Sequence, residues 1–187
     1  MKRSELQTAL RAAGHVARQA EFILIGSQAV HAHCGRVPAE VLLSQECDLY
    51  PRTHPEAAGL LATELGRRSA FARRHGFYVD VVTPDLATLP EGWERRLKPL
   101  GAGRVTAFCL ELHDLLASKL AAGRLKDLEL AGALLKLRLG SAATLRRRIA
   151  RLPLATDRHK ARVRLNAVLE DLGCRPPAVA HSPRPAP

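Results

Sequence analysis

Apolar and polar residues recur along this chain with two different periods. At the start, Leu6, Leu10 and Val16 fall near one stripe of a helix over 4–19, and Ser4 with Gln7 has the spacing of a capping box. Short apolar runs then predict strands near 21–25, 41–49 and 76–82, with helices near 27–34 and 54–74 between them. The stretch 83–103 contains Pro84, Pro90 and Pro99 and reads as an extended link, and RVTAFCL after it predicts one more strand. From Glu111 the period lengthens. Leu112, Leu115, Leu116 and Leu120 share a helical face, Gly123 breaks it, and further helices are expected near 124–139, 141–151 and 156–172. The pattern implies an α/β fold: a mixed sheet flanked by helices over 1–106, then a small helical bundle over 107–172. The Pro-rich segment 173–187 has too few large apolar groups to build a core and is expected to be disordered.

On that frame the acidic residues are the first candidate chemistry. Side chains at i and i+2 of a strand point to one face, so Glu46 and Asp48 converge while Cys47 points away. A neighbouring strand carrying Asp80 can complete a carboxylate triple. Gathering such charges on apolar strands is costly unless a hard cation offsets their repulsion, and magnesium (or manganese) takes one or two carboxylates together with substrate phosphates. The competing expectation is that all three acids sit at strand ends in water, or pair with some of the 29 Lys+Arg residues. Upstream, Gly26 permits a tight strand-to-helix turn whose backbone amides, with the Ser27 hydroxyl, suit terminal phosphates. Neither a P-loop nor a dinucleotide fingerprint is present. In the helical half, Lys119 ends one apolar helix, and Arg124, Lys126 and Asp127 open the next. The Gly123 break can fold them toward one cleft, where a lysine neutralises phosphate charge and an aspartate orients a nucleophile or a cation. Ordinary solvated helix ends are the alternative.

The stretches ILIGSQAV, SQECDLYPRTHPEAA, GFYVDVV, LPEGWERRL and CLELHDLLASKLAAGRLKD, spanning about 20–140, resemble the nucleotidyltransferase superfamily of the DNA polymerase beta-like fold. The likeness is nearer to a bacterial family of that fold related to the AbiEii and MenT-like toxins. The resemblance implies a nucleotidyltransferase-like mixed sheet, with Gly26, Ser27, Lys119 and Arg124 at the nucleotide and Glu46, Asp48 and Asp80 at the metal. Catalysis would then rest on Glu46, Asp48, Asp80, Lys119 and Asp127. It further implies transfer of a nucleoside monophosphate from a triphosphate to an acceptor hydroxyl, with tRNA or another RNA as acceptor. A toxin–antitoxin or phage-defence setting and a cognate antitoxin would follow. Glu46 stands where the superfamily has Asp, and its additional methylene moves the carboxylate. An alternative is therefore a catalytically inactive descendant serving as a nucleic-acid-binding, regulatory or antitoxin module.

Composition narrows the remaining classes. A chain of 187 residues with 47% hydrophobic content can bury a core. No apolar run long enough to span a bilayer occurs, and MKRSELQTAL lacks the apolar stretch of a signal peptide, so a cytoplasmic protein without membrane contact is expected. Cys34, Cys47, Cys109 and Cys174 form no CxxC pair and are expected as reduced thiols. In HAHC, His31 and His33 diverge on a helix, which disfavours zinc. A net charge of +11 favours a polyanionic partner. The basic clusters are Arg67, Arg68, Arg73 and Arg74, and then Arg146, Arg147, Arg148, Arg151, Arg158, Lys160, Arg162 and Arg164. With 4% aromatic residues, recognition by base stacking is not expected. Trp93 suits the core, or a lid over the cleft.

Overall fold

The strand Glu21–Leu24 (β1) runs up the middle of the molecule because its alternate residues, Phe22 and Leu24, are wholly buried. The computed structural model describes residues 1–173, so the expected tail and Cys174 lie outside the described residues. Ahead of β1, the helix Arg3–Ala17 (α1) buries Leu6, Ala9, Leu10 and Ala13. It begins one residue before the expected cap: the Lys2 backbone N–H donates to Glu5 Oε2 at 2.6 Å, and Ser4 lies within the first turn.

After β1 come a 3₁₀ turn over Ser27–Ala32 and the short helix Ala39–Leu43 (α2), then the strand Glu46–Pro51 (β2). This corrects the strand expected over 41–49. Val41, Leu42 and Leu43 form a helical turn opened by Pro38, and the strand starts only at Glu46. An apolar triplet fits either element, and the proline decides it. The single helix expected over 54–74 is two, Ala58–Leu65 (α3) and Ala70–His75 (α4). Gly66 separates them in an extended conformation where a Cβ would fall 2.1 Å from the Ala62 carbonyl oxygen, and the Ser69 side chain then caps α4.

The strand Tyr78–Val81 (β3) follows, then two 3₁₀ turns, then the hairpin of Lys98–Ala102 (β4) and Val105–Cys109 (β5). The link expected over 83–103 therefore contains an edge strand, reversed at Gly103 with φ 70°. Proline is tolerated on an edge, and Pro99 sits within β4. Helices Leu112–Ala122 (α5), Leu125–Lys136 (α6), Ala142–Ile149 (α7) and Ala155–Asp171 (α8) complete the described chain, close to expectation. Gly123, at φ 67°, makes the break between α5 and α6.

The five strands form one mixed sheet in the order β3-β2-β1-β5-β4. β1 is antiparallel to β2 and parallel to β5, β2 is parallel to β3, and β4 is antiparallel to β5. Phe22, Leu24, Cys47, Leu49, Ala107 and Cys109 all point to the face covered by α1 and α3. The alternate residues of β2, Glu46, Asp48 and Tyr50, therefore point to the other face. That register places the chemistry: the burial period of two that puts Cys47 and Leu49 into the core turns both acids out of it. No helix among the described residues is long and apolar enough to cross a membrane.

Candidate functional site

A cleft of about 340 Å³ opens where β2 meets the start of α6 and the end of α5. Ser27, Glu46, Asp48, Tyr78, Lys119, Lys126 and Asp127 line it, with Arg67 at its edge and Glu40 and Glu129 among the remaining walls. The strand contributes the two carboxylates and the helical half contributes the two lysines and Asp127, so residues about 80 positions apart face each other.

Among the carboxylates of the cleft, Asp48 carries a strong upward shift. Burial pushes its carboxyl up to about 6, the positive charge of Lys119 opposes the shift, and Glu46 and Asp80 add to it. Gly26 is packed directly against this side chain: a Cβ there would fall 1.5 Å from Asp48 Oδ2, so the chain turns above the acid only because residue 26 has no side chain. The backbone is tied alongside by Ile25 N–H donating to the Asp48 carbonyl at 3.0 Å.

Glu46 behaves oppositely. Burial pushes its carboxyl up, but the Tyr78 hydroxyl, donating to Oε1 at 2.9 Å, and Lys126, 3.4 Å from Oε2, together hold it below the usual glutamate value. Tyr78 is Glu46's partner in the β2–β3 register, which fixes this bond. The tyrosine is pushed up to about 12 by burial and by the neighbouring carboxylate, and so keeps its proton as donor. On the helical side Lys119 Nζ lies 3.1 Å from Asp127 Oδ1. Asp127 is 2% exposed, and its Oδ2 has no hydrogen-bond partner among the described residues.

Of the residues singled out from the sequence, Ser27, Glu46, Asp48, Lys119 and Asp127 meet at this cleft, and Gly26 backs it. Asp80 does not line it. The carboxylate is paired in register with Asp48 and close enough to repel it, yet on the edge strand β3 it is exposed to solvent. Arg124 caps α6 and is exposed outside the lining. Trp93 packs half-buried against the core and is not among the cleft residues, so the lid position is not where the structure puts it. His31 and His33 reach different backbone carbonyls, those of Met1 and Leu110. Tyr78 and the contact of Lys126 with Glu46 are not signalled by the sequence, and Arg67, expected there only as part of a basic cluster, lies at the cleft, because strand register and helix docking bring them in and no local motif signals either.

The donor set fits a hard divalent cation. Glu46 and Asp48 offer oxygens on one face of one strand, the number of carboxylates magnesium commonly takes when phosphates and water supply the rest, and the raised Asp48 gains most from a nearby positive charge. Among the described residues no three His, Cys, Asp or Glu side chains are gathered as a metal cage.

The mixed five-stranded sheet flanked by helices is consistent with a nucleotidyltransferase-like fold, and it sets paired acids on one face of β2, a Gly-Ser turn beside them and a lysine–aspartate pair across the cleft. Residues 4–136, well over half of the chain, match the family described as "Nucleotidyltransferase of unknown function (DUF6036)", and the chain belongs to that family. No curated protein and no solved structure matches it.

Proposed function

We propose that this protein is a metal-dependent nucleotidyltransferase that moves a nucleoside monophosphate from a nucleoside triphosphate to an acceptor hydroxyl, the new phosphoester bond forming at the acceptor oxygen as the α–β phosphoanhydride bond breaks and pyrophosphate leaves. The observation that carries the reading is the Asp48 carboxyl, pushed up to about 6 in a cleft whose other walls supply Lys119 and a half-unpartnered Asp127. Perturbed acids facing cations in a cleft mark sites built for charged ligands.

Glu46 and Asp48 would hold magnesium or manganese, which supplies charge neutralisation at the transferred phosphorus. Ser27, with Gly26 leaving room, binds the terminal phosphates, and Lys119 steadies the triphosphate as a point cation. Arg124 serves the nucleotide from the rim. Asp127 keeps Lys119 extended toward the cleft, and its free oxygen accepts a hydrogen bond from the bound ligand. Asp80, one strand further out, receives the acceptor's proton. The acceptor we assign is RNA, with tRNA the first to test, in a toxin–antitoxin or phage-defence setting whose antitoxin restrains the activity.

One observation favours the rival reading, a fold kept for binding without catalysis: Glu46 is already engaged by Tyr78 and Lys126. The two readings separate in one assay. Each radiolabelled ribonucleoside triphosphate is supplied with magnesium or manganese and with RNA or protein acceptors, comparing wild type with Asp48→Ala. Label transferred by wild type alone supports the enzyme. Equal signal from both overturns it.

A further inference from the structure

The arginines of the last two helices divide into two sets. Arg148 turns inward, its Nε 3.0 Å from Asp114 Oδ1, and Arg164 Nη1 donates to the carbonyls of Leu120 and Ala121 at 2.7 and 2.6 Å, closing the end of α5. These charges serve the fold. Three of the others, Arg146, Arg158 and Arg162, border a groove of about 430 Å³ between α7 and α8, while Arg147 turns to the Thr144 hydroxyl at 2.9 Å. On α8, Ala155, Arg158, His159 and Arg162 follow the i, i+3, i+4, i+7 spacing of one helical face, and on α7 Arg146 stands opposite over the small apolar floor of Ile149 and Ala150.

Among the described residues, no acidic side chain lines this groove. Two of its guanidinium groups are already oriented: Arg158 Nη1 donates to the Leu152 carbonyl at 2.6 Å and the Pro153 carbonyl at 2.9 Å, and Arg146 Nη2 donates to Asn166 Oδ1 at 3.1 Å. Each guanidinium has five N–H donors, so both keep several free. Arg162 makes no ion pair or hydrogen bond among the described residues and stands exposed. Three guanidinium groups facing one groove, with no carboxylate among its described lining residues, suit an anion of matching spacing. Repeated phosphates supply one.

We propose that the α7–α8 groove binds the phosphate backbone of a polynucleotide, the acceptor strand of the reaction assigned above. The inference rests on that reading for the strand's role, but not for its binding. Among the described residues the groove has no Phe, Tyr or Trp in its lining, so bases are not stacked and binding is tolerant of sequence.

The test is fluorescence anisotropy of a labelled RNA hairpin, and of DNA of the same sequence, with the full chain in EDTA and no triphosphate, across a salt series. Wild type should bind both, more weakly as salt rises, and Arg146→Glu with Arg162→Glu should weaken binding by about tenfold or more. Arg162→Glu alone, which breaks no bond of the fold, should weaken it less and guards against an unfolded double variant. Arg36→Glu, at an exposed arginine outside the groove, the cleft and both basic clusters, makes the same type of charge change and should have little effect. Equal losses from Arg36→Glu and Arg162→Glu would mean a diffuse charge effect and overturn the groove. So would displacement of the hairpin by inorganic phosphate at the hairpin's own concentration, or no binding by wild type. Asp48→Ala should bind the hairpin as wild type does. Loss of label transfer with intact hairpin binding, or the reverse, thus tells failure of the cleft reading from failure of this one.

Discussion

Two clusters of charge sit at opposite ends of α5, and they treat their carboxylates differently. At its start, Asp114 is fully buried, and both oxygens are engaged by Arg96, through Nε at 2.7 Å and Nη2 at 3.1 Å, with Arg148 alongside. Next to it, the Glu111 side chain accepts from the His113 ring at 2.7 Å and from the His113 backbone at 3.1 Å, and the far ring nitrogen accepts from Ser141 N–H at 3.0 Å. At the end of α5, Asp127 Oδ2 has no partner among the described residues, and although burial raises the carboxyls of both Asp48 and Asp114, only Asp114 accepts hydrogen bonds from a guanidinium. The first cluster ties together the 3₁₀ turn at Trp93–Arg96, α5 and α7. The second holds unmet electrostatic demand. Buried charges that hold a fold are supplied with partners from within it, while charges kept for a ligand are left short of them.

Substitutions that exchange these properties test the contrast. The largest expected effect is on turnover: Asp48→Ala should reduce nucleotidyl transfer by about a thousandfold, since it removes a metal-holding carboxylate, and should leave the thermal midpoint near wild type. Asp114→Ala should show the opposite pattern. Removing it strands Arg96 and Arg148 in a buried site, and urea unfolding should report a loss of about 3 kcal/mol, with triphosphate affinity of the folded fraction unchanged. An equal effect of both substitutions on stability would erase the distinction between the clusters.

The pH dependence sharpens it further. Because the folded-state pKa of Asp48 is raised to about 6 from the ordinary 3.8, the folded state holds more protons than the unfolded between those values, so stability falls as pH rises through that window. Asp48→Asn should therefore stabilise the metal-free protein above pH 6 by about 1–2 kcal/mol, and the gain should vanish below about pH 4. Denaturant melts at several pH values check the sign. The smallest effect is expected for Tyr78→Phe. Losing the hydroxyl that fixes Glu46 should weaken manganese binding by about tenfold, read by electron paramagnetic resonance, with little change in fold.

The parts of this site legible in the sequence were the local ones. Glu46 and Asp48 share a face because strands have a period of two, and Gly123 reverses the chain because a left-handed turn was needed between two helical runs. What the sequence concealed was pairing between distant segments. Nothing local says that Tyr78 lies opposite Glu46, or that β3 is an edge strand whose Asp80 faces solvent, since both depend on how β2 and β3 align. Boundaries failed where one residue overrode a periodic pattern, as at Pro38 before α2 and Gly66 after α3.

The absence of a side chain at residue 26 sets a limit on how this protein can vary. Even a methyl group there would occupy the space of the Asp48 carboxylate. In a mutational library selected for activity, position 26 should accept glycine and nothing else, alanine included, while Ser27 beside it tolerates exchange for other small hydroxyl-bearing residues.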